Sequence, residues 1–178
     1  MSTKRQQLID CAMELFYQHG IHAIGINEVL KSSGIAKKTL YNHFESKDAL
    51  VLATLEQRHH QFISWLSGCL EDVQTSEMLE KQLFLALDQW INNKVEVLGE
   101  FRGCYFINTA AEFGELTSPI NQLCQRHKLA VKALLKQSLN DADDAAVERL
   151  FLLGEGIIST AYTCHDASVA MRAAEFTS

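Results

Sequence analysis

The sequence predicts an all-α fold of about nine helices. Three observations support this class: apolar residues recur with the 3.6-residue period of a helix, proline occurs once and glycine nine times in 178 residues, and no segment alternates like a half-buried strand. Hydrophobic residues make up 47% of the chain and charged residues 21%. This composition is typical of a globular protein with at most two subdomains.

The first helix is predicted from about Lys4 to His19. A Thr3-x-x-Gln6 capping box opens it, and Gly20 ends it because glycine readily adopts the backbone conformation that follows a helix. Its buried stripe is expected to be Leu8, Ala12, Leu15 and Phe16.

Two shorter helices are predicted over residues 26–33 and 37–43, with Gly34 in the turn between them. Their inward side chains are Val29, Leu30, Ile35, Leu40 and Phe44. The outward side chains of the second helix can all donate hydrogen bonds: Lys37, Lys38, Thr39, Tyr41, Asn42 and His43. Because the DNA major groove presents acceptors flanked by phosphates, this pattern predicts a helix-turn-helix that reads DNA. The alternative is a polar helix on the surface of a bundle.

A long fourth helix is predicted from the cap at Ser46 to about Leu70. Its apolar stripe is Leu52, Leu55, His59, Phe62, Leu66 and Cys69. Further helices are expected near 77–96, 103–113, 119–139, 143–164 and 167–176, with Ser118 and Pro119 as the best start signal. We therefore place a three-helix DNA-binding domain at 1–48 and a helical bundle at 49–178.

Charge and cysteine usage narrow the function classes. Residues 1–60 carry 7 Lys and Arg against 6 Asp and Glu, whereas residues 61–178 carry 9 against 16, so only the N-terminal part is fit to approach phosphates. No apolar run reaches membrane-spanning length and the start lacks a signal peptide, so a cytoplasmic location is expected. The five cysteines are scattered and form no CxxC, which indicates reduced thiols: Cys11, Cys69, Cys104, Cys124 and Cys164. Neither a metal nor a cofactor is expected.

Three segments together resemble the TetR family of transcriptional regulators. They are Phe16-x-x-x-Gly20, Ser33-Gly34-Ile35 and the run from Thr39 to Leu50, which reads TLYNHFESKDAL. The resemblance spans roughly residues 4–55 and agrees in residue type and spacing. Ala36 stands where the family has a capping serine, Gly25 where it has a threonine, and Lys38 where glycine is common, so the resemblance does not predict which bases are read.

The resemblance implies roles for individual residues. Tyr41 and Lys47 would contact phosphates, and Asn27 is placed in the same DNA interface. The side chains expected in or beside the major groove are Lys37, Lys38, Thr39, Asn42 and His43.

The resemblance also implies that the C-terminal domain encloses an effector pocket and forms a homodimer through its last two long helices. The expected pocket residues are Phe62, Trp65, Trp90, Cys104 and Asn108, although core packing is the alternative for most of them. Cys104, expected in the first turn of a helix beside Arg102, would be a reactive thiol or else a small buried residue. Small residues at helical spacing predict a dimer face: Gly154, Ile157, Ile158 and Ala161.

The predicted function is therefore a DNA-binding regulator that binds a palindromic operator as a dimer and is released by a small-molecule or electrophile signal. Repression is the expected default, with activation as the alternative. No nucleophile elbow, HExxH or phosphate loop occurs, which argues against an enzyme. A helical adaptor that has lost DNA binding is the remaining alternative.

Overall fold

The structure, a computed structural model, describes residues 3–138 and 143–176 and confirms the all-α class. Within those ranges the regular structure comprises nine α-helices and one 3-10 helix, Glu96–Leu98, with no strand. The α-helices are α1 (Lys4–His19), α2 (Ile26–Ser33), α3 (Lys37–His43), α4 (Lys47–Cys69), α5 (Ser76–Ile91), α6 (Tyr105–Glu112), α7 (Pro119–Gln137), α8 (Asp144–Thr163) and α9 (Val169–Phe176).

Helix α1 begins and ends where its predicted caps lie. The Thr3 hydroxyl accepts a hydrogen bond from the Gln6 amide at 3.2 Å. Gly20 has φ +87°, and its amide donates to the Phe16 carbonyl at 2.9 Å. A side chain at Gly20 would be strained in this left-handed region, so the glycine ends the helix at low cost.

Helices α5 and α6 are shorter than the sequence predicts, and the local backbone explains both. Helix α5 ends at Ile91 rather than near 96 because Asn93 has φ +59°, a conformation that asparagine tolerates better than most residues. Helix α6 begins at Tyr105 rather than near 103 because Gly103 has φ +76°. A Cβ atom at Gly103 would also lie 3.0 Å from the Tyr162 ring, so only glycine fits there.

The chain forms two compact units. Unit 1 runs to Arg58 and also includes Tyr105–Arg126, while unit 2 comprises His59–Cys104 and the chain from His127 onward. Helix α6 therefore packs within the same unit as α1, α2 and α3. The functional division at residue 48 stays a prediction, because these units are defined by contacts alone.

Unit 2 contains a helix pair joined by regularly spaced ion pairs. Lysines four residues apart lie on one face of α7, where they meet carboxylates of α8 in reverse order along the chain. This order makes α7 and α8 antiparallel neighbours. The pairs are Lys128 with Glu155 at 2.6 Å, Lys132 with Glu148, and Lys136 with Asp144 at 2.6 Å. Helix α5 packs against α8 and α9 in the same unit.

Candidate functional site

The turn between α2 and α3 has the geometry of a helix-turn-helix. Gly34 adopts the left-handed conformation at φ +67°, and its amide donates to the Leu30 carbonyl at 3.0 Å. Leu40 is fully buried, and both Ile35 and Phe44 are buried on either side of it. These apolar contacts anchor the inner face of α3, so its other face is directed away from the core.

The outer face of α3 carries the hydrogen-bond donors that the sequence singled out. Asn27 on α2 is exposed as well. Neither α2 nor α3 has a side-chain cap, because their N-cap residues are Gly25 and Ala36. Of the α3 donors Thr39 is half-buried, and the exposed ones are Lys37, Lys38, Tyr41, Asn42 and His43.

Lys47, expected at a phosphate, has a partner within unit 1. Its ammonium donates to the Ile21 carbonyl at 2.5 Å and lies 5.7 Å from the centre of the Phe16 ring. Burial lowers the pKa of Lys47, and the carboxylates of Glu112 and Asp48 oppose that change. The ammonium retains further donors beyond this bond, so its predicted phosphate contact remains a proposal.

A carboxylate at the end of α6 holds the turn between α1 and α2. Glu112 accepts hydrogen bonds from the Ile21 amide at 2.8 Å and the His22 amide at 2.6 Å. Because Lys47 bonds the carbonyl of the same Ile21, two side chains fix the turn between α1 and α2. We call Glu112, Lys47 and this turn the clasp. Nothing in the local sequence pattern signals it.

Three of the predicted pocket residues lie together in unit 2. The Phe62 ring is 5.2 Å from Trp65 and 5.3 Å from Trp90, centre to centre, and Phe101 lies 5.0 Å from Trp90. Trp90 is 2% exposed, and its indole N–H has no hydrogen-bond partner among the described atoms. An unsatisfied buried donor within an aromatic cluster suits a ligand that supplies an acceptor.

The other two predicted pocket residues are placed differently. Cys104 is buried in unit 2, one residue before α6 begins, and its side chain lies near Lys128. Burial lowers the pKa of Lys128, but Cys104 and Glu155 together outweigh this effect and hold that pKa above its ordinary value. Asn108 lies on α6 in unit 1, whereas the other four belong to unit 2. Lys128 is a neighbour of Cys104 that sequence spacing could not reveal.

Two histidines lie beside the aromatic cluster in unit 2. The Nδ1 atoms of His59 and His127 are 3.2 Å apart, so one ring donates and the other accepts. His127 is 1% exposed and packs against Phe62 with ring centres 5.3 Å apart. Across the two described ranges, no three His, Cys, Asp or Glu side chains group so that they could hold a metal ion.

The predicted dimer face of α8 is occupied within the chain. Gly154, Ile157, Ile158 and Ala161 are all buried. A Cβ atom at Gly154 would lie 3.7 Å from Leu87 and 4.0 Å from Leu83, both on α5. Gly154 therefore allows α5 to approach α8 within one subunit, and the role of the four residues in a dimer stays a prediction.

The fold and the exposed donor face of α3 define a helix-turn-helix DNA-binding protein. Residues 8–54 match the family model described as bacterial regulatory proteins, tetR family. Residues 8–54 therefore resemble the DNA-binding domain of the TetR family, and the chain is a DNA-binding transcriptional regulator.

Curated relatives and solved structures agree with this assignment. The transcriptional repressor NemR of Escherichia coli is 28% identical over 137 residues, which cover 77% of this chain and 67% of NemR. The transcriptional activator FasR of Mycolicibacterium smegmatis is 35% identical over 89 residues, covering 50% of this chain and 39% of FasR. These relatives are regulators, which confirms the prediction of a regulator rather than an enzyme.

Solved structures extend the similarity in fold to nearly the whole chain. A TetR-family regulator from Streptomyces coelicolor superposes with a TM-score of 0.83 at 24% identity, covering 96% of this chain and 89% of that one. Reduced E. coli NemR gives a TM-score of 0.79 at 21% identity, covering 98% and 95%. Over the described ranges, no helix is long and apolar enough to cross a membrane.

Proposed function

We propose that this regulator represses transcription by binding a palindromic operator as a homodimer, and that a small molecule or electrophile releases it. The exposed donor face of α3 is the observation that carries the proposal, because base edges and phosphates both accept hydrogen bonds. NemR, which matches over most of this chain, is named a repressor. The protein would act in the cytoplasm, where bacterial DNA is found.

We assign a separate function to each of the two domains predicted from the sequence. Residues 1–48 would bind DNA, and residues 49–178 would bind the signal and form the dimer. In a dimer, two copies of α3 would enter major grooves about one turn, or roughly 34 Å, apart. A signal that tilts α4 would change this spacing and lower the affinity for the operator.

The exposed side of α8 supports the dimer part of the proposal. The exposed residues on this side form a stripe at helical spacing. Most of them are small, so a partner helix could approach closely. Gly156 has open space around the position of a Cβ atom. The exposed residues of this stripe are Leu152, Gly156, Ser159 and Thr163.

Two features of unit 2 support the signal part of the proposal. The aromatic cluster around Trp90 offers an indole N–H without a partner to a planar ligand that carries an acceptor. Cys104, buried beside Lys128, offers a thiol that an electrophile could modify. Phe62, Trp65, Trp90 and Cys104 would thus act in ligand or electrophile sensing, with Asn108 as a further candidate.

The proposal that Cys104 senses an electrophile is tested by treating operator-bound protein with a mild oxidant or an alkylating agent. Wild type should release DNA, while Cys104→Ser should bind DNA and ignore the reagent. Cys11→Ser is the matched control, because Cys11 lies on α1 and its modification could abolish binding by local unfolding. If Cys104→Ser responds as wild type does, Cys104 is not the sensor, and a non-covalent ligand in the pocket becomes the favoured signal.

The proposal that the protein binds a palindromic operator is tested by genome-wide footprinting followed by sequencing of the bound sites. We expect a shared palindrome near promoters, with half-sites one helical turn apart, and increased transcription of the adjacent genes when the protein is deleted. Bound sites without two-fold symmetry would contradict the dimeric operator complex. The lack of any bound site would favour a helical adaptor.

A further inference from the structure

An open cavity lies beside the exposed end of α3 in unit 1. Its volume is 450 Å³, and its lining combines the first turn of α1 with the end of α3 and the start of α4. Four of the lining side chains can donate hydrogen bonds, and one is a carboxylate. The polar lining residues are Arg5, Tyr41, Asn42, His43 and Glu45.

Arg5 provides the cationic side of this cavity. Its guanidinium carbon lies 5.2 Å from the centre of the Phe44 ring, and Phe44 is itself 4% exposed. A cation–π contact with a buried ring restricts the guanidinium, while the N–H groups at its edge can still donate hydrogen bonds. Among the residues that the structure describes, no carboxylate lies within ion-pair distance of Arg5, although Glu45 lines the same cavity.

We propose that this cavity receives a backbone phosphate of the bound DNA and that Arg5 anchors it, with the Tyr41 hydroxyl as a second donor. The proposal rests on the DNA-binding role of α3. Phosphates flank the groove that α3 would enter, and Asn42 and His43 line both the cavity and the outer face of α3. The Glu45 carboxylate would repel a free phosphate ion from this cavity. A phosphate of a DNA duplex would still be held there, because the other contacts of the duplex with the protein keep it in place.

The test compares Arg5→Gln with Lys4→Gln in titrations of the full chain against an operator duplex at several salt concentrations. Both variants lose one positive charge at the start of α1, but Lys4 does not line the cavity. Arg5→Gln should lower the affinity about tenfold and reduce the slope of log K against log salt by about 0.9. Lys4→Gln should change the slope by much less.

A second measurement separates phosphate binding from a structural role of Arg5. Duplexes with one neutral methylphosphonate at successive positions should include a site that weakens wild type and leaves Arg5→Gln unchanged. Arg5→Lys should retain the salt slope, because it keeps the charge.

The proposal is overturned by an unchanged slope in Arg5→Gln, by equal slope changes in both glutamine variants, or by weaker binding that merely follows a lower melting temperature. If wild type itself fails to bind any duplex, the proposed function is wrong rather than the role of Arg5.

Discussion

Tyr105 illustrates how a single residue in the core of unit 1 is positioned. The Thr54 hydroxyl donates to the Val51 carbonyl at 2.7 Å, and its oxygen lies 2.9 Å from the Tyr105 hydroxyl. Because Thr54 has one hydroxyl proton, Tyr105 must be the donor in the second bond. Tyr105 is 3% exposed, and burial raises the pKa of its hydroxyl well above the ordinary value of 10.

The stability of the fold should therefore fall at alkaline pH through Tyr105. The pKa of Tyr105 is higher in the folded state than in the unfolded state. Its contribution to the free energy of unfolding is therefore complete below pH 10 and is lost as the pH rises above 10. Tyr105→Phe should cost about 0.5–1.5 kcal/mol at pH 7, by loss of the bond to Thr54, and should weaken this alkaline loss. Urea unfolding of both proteins from pH 8 to 11 measures the difference. If the free energy of unfolding falls equally with pH in the two proteins, Tyr105 is not the cause of the alkaline loss of stability.

Among the secondary-structure elements, the clasp joins α6 to the turn between α1 and α2. Glu112→Ala would leave two amides of the α1–α2 turn without their acceptor, at a cost of roughly 1–3 kcal/mol. Glu112→Gln should fall between this variant and wild type, because it keeps one acceptor oxygen. Urea unfolding gives the stability, and NMR gives the amide proton shifts of Ile21 and His22. If those shifts do not move in Glu112→Ala, the carboxylate does not hold the turn.

Two glycines of α8 give a matched pair that separates core packing from dimerisation. Gly154→Leu should destabilise the monomer by about 1–3 kcal/mol, because Leu83 and Leu87 of α5 occupy the space it needs. Gly156→Leu meets open space, so it should leave the monomer stable and weaken the proposed dimer. Thermal unfolding and sedimentation of both variants give the two readouts. A Gly156→Leu protein that remains fully dimeric would show that the exposed stripe is not the interface.

The sequence predicted α1, α2 and α3 within a residue because caps, turn glycines and apolar periods agree locally there. The burial of Gly154 could not be predicted, because small residues at helical spacing look the same whether the neighbour is α5 or a partner subunit. Likewise, Glu112 and Arg5 gain their importance from residues distant in the chain. Local signals carry no information about such contacts.

At the scale of the whole molecule, charge is divided unequally along the chain. The first 60 residues carry a small excess of positive charge, while the remainder has 16 acidic against 9 basic residues. Because DNA is a dense polyanion, only a limited surface of this protein suits it. Helices α4 and α7 each contribute residues to both units.

The central claim is that the outer face of α3 binds DNA. The most direct test is the salt dependence of operator binding by wild type, by the double variant Lys37→Gln/Lys38→Gln, and by the control Lys81→Gln/Lys94→Gln. All four lysines are exposed, and the two double variants remove equal charge. We predict that the α3 variant lowers the slope of log K against log salt by about two units and that the control leaves it unchanged. Equal slopes for the three proteins would contradict DNA binding through α3.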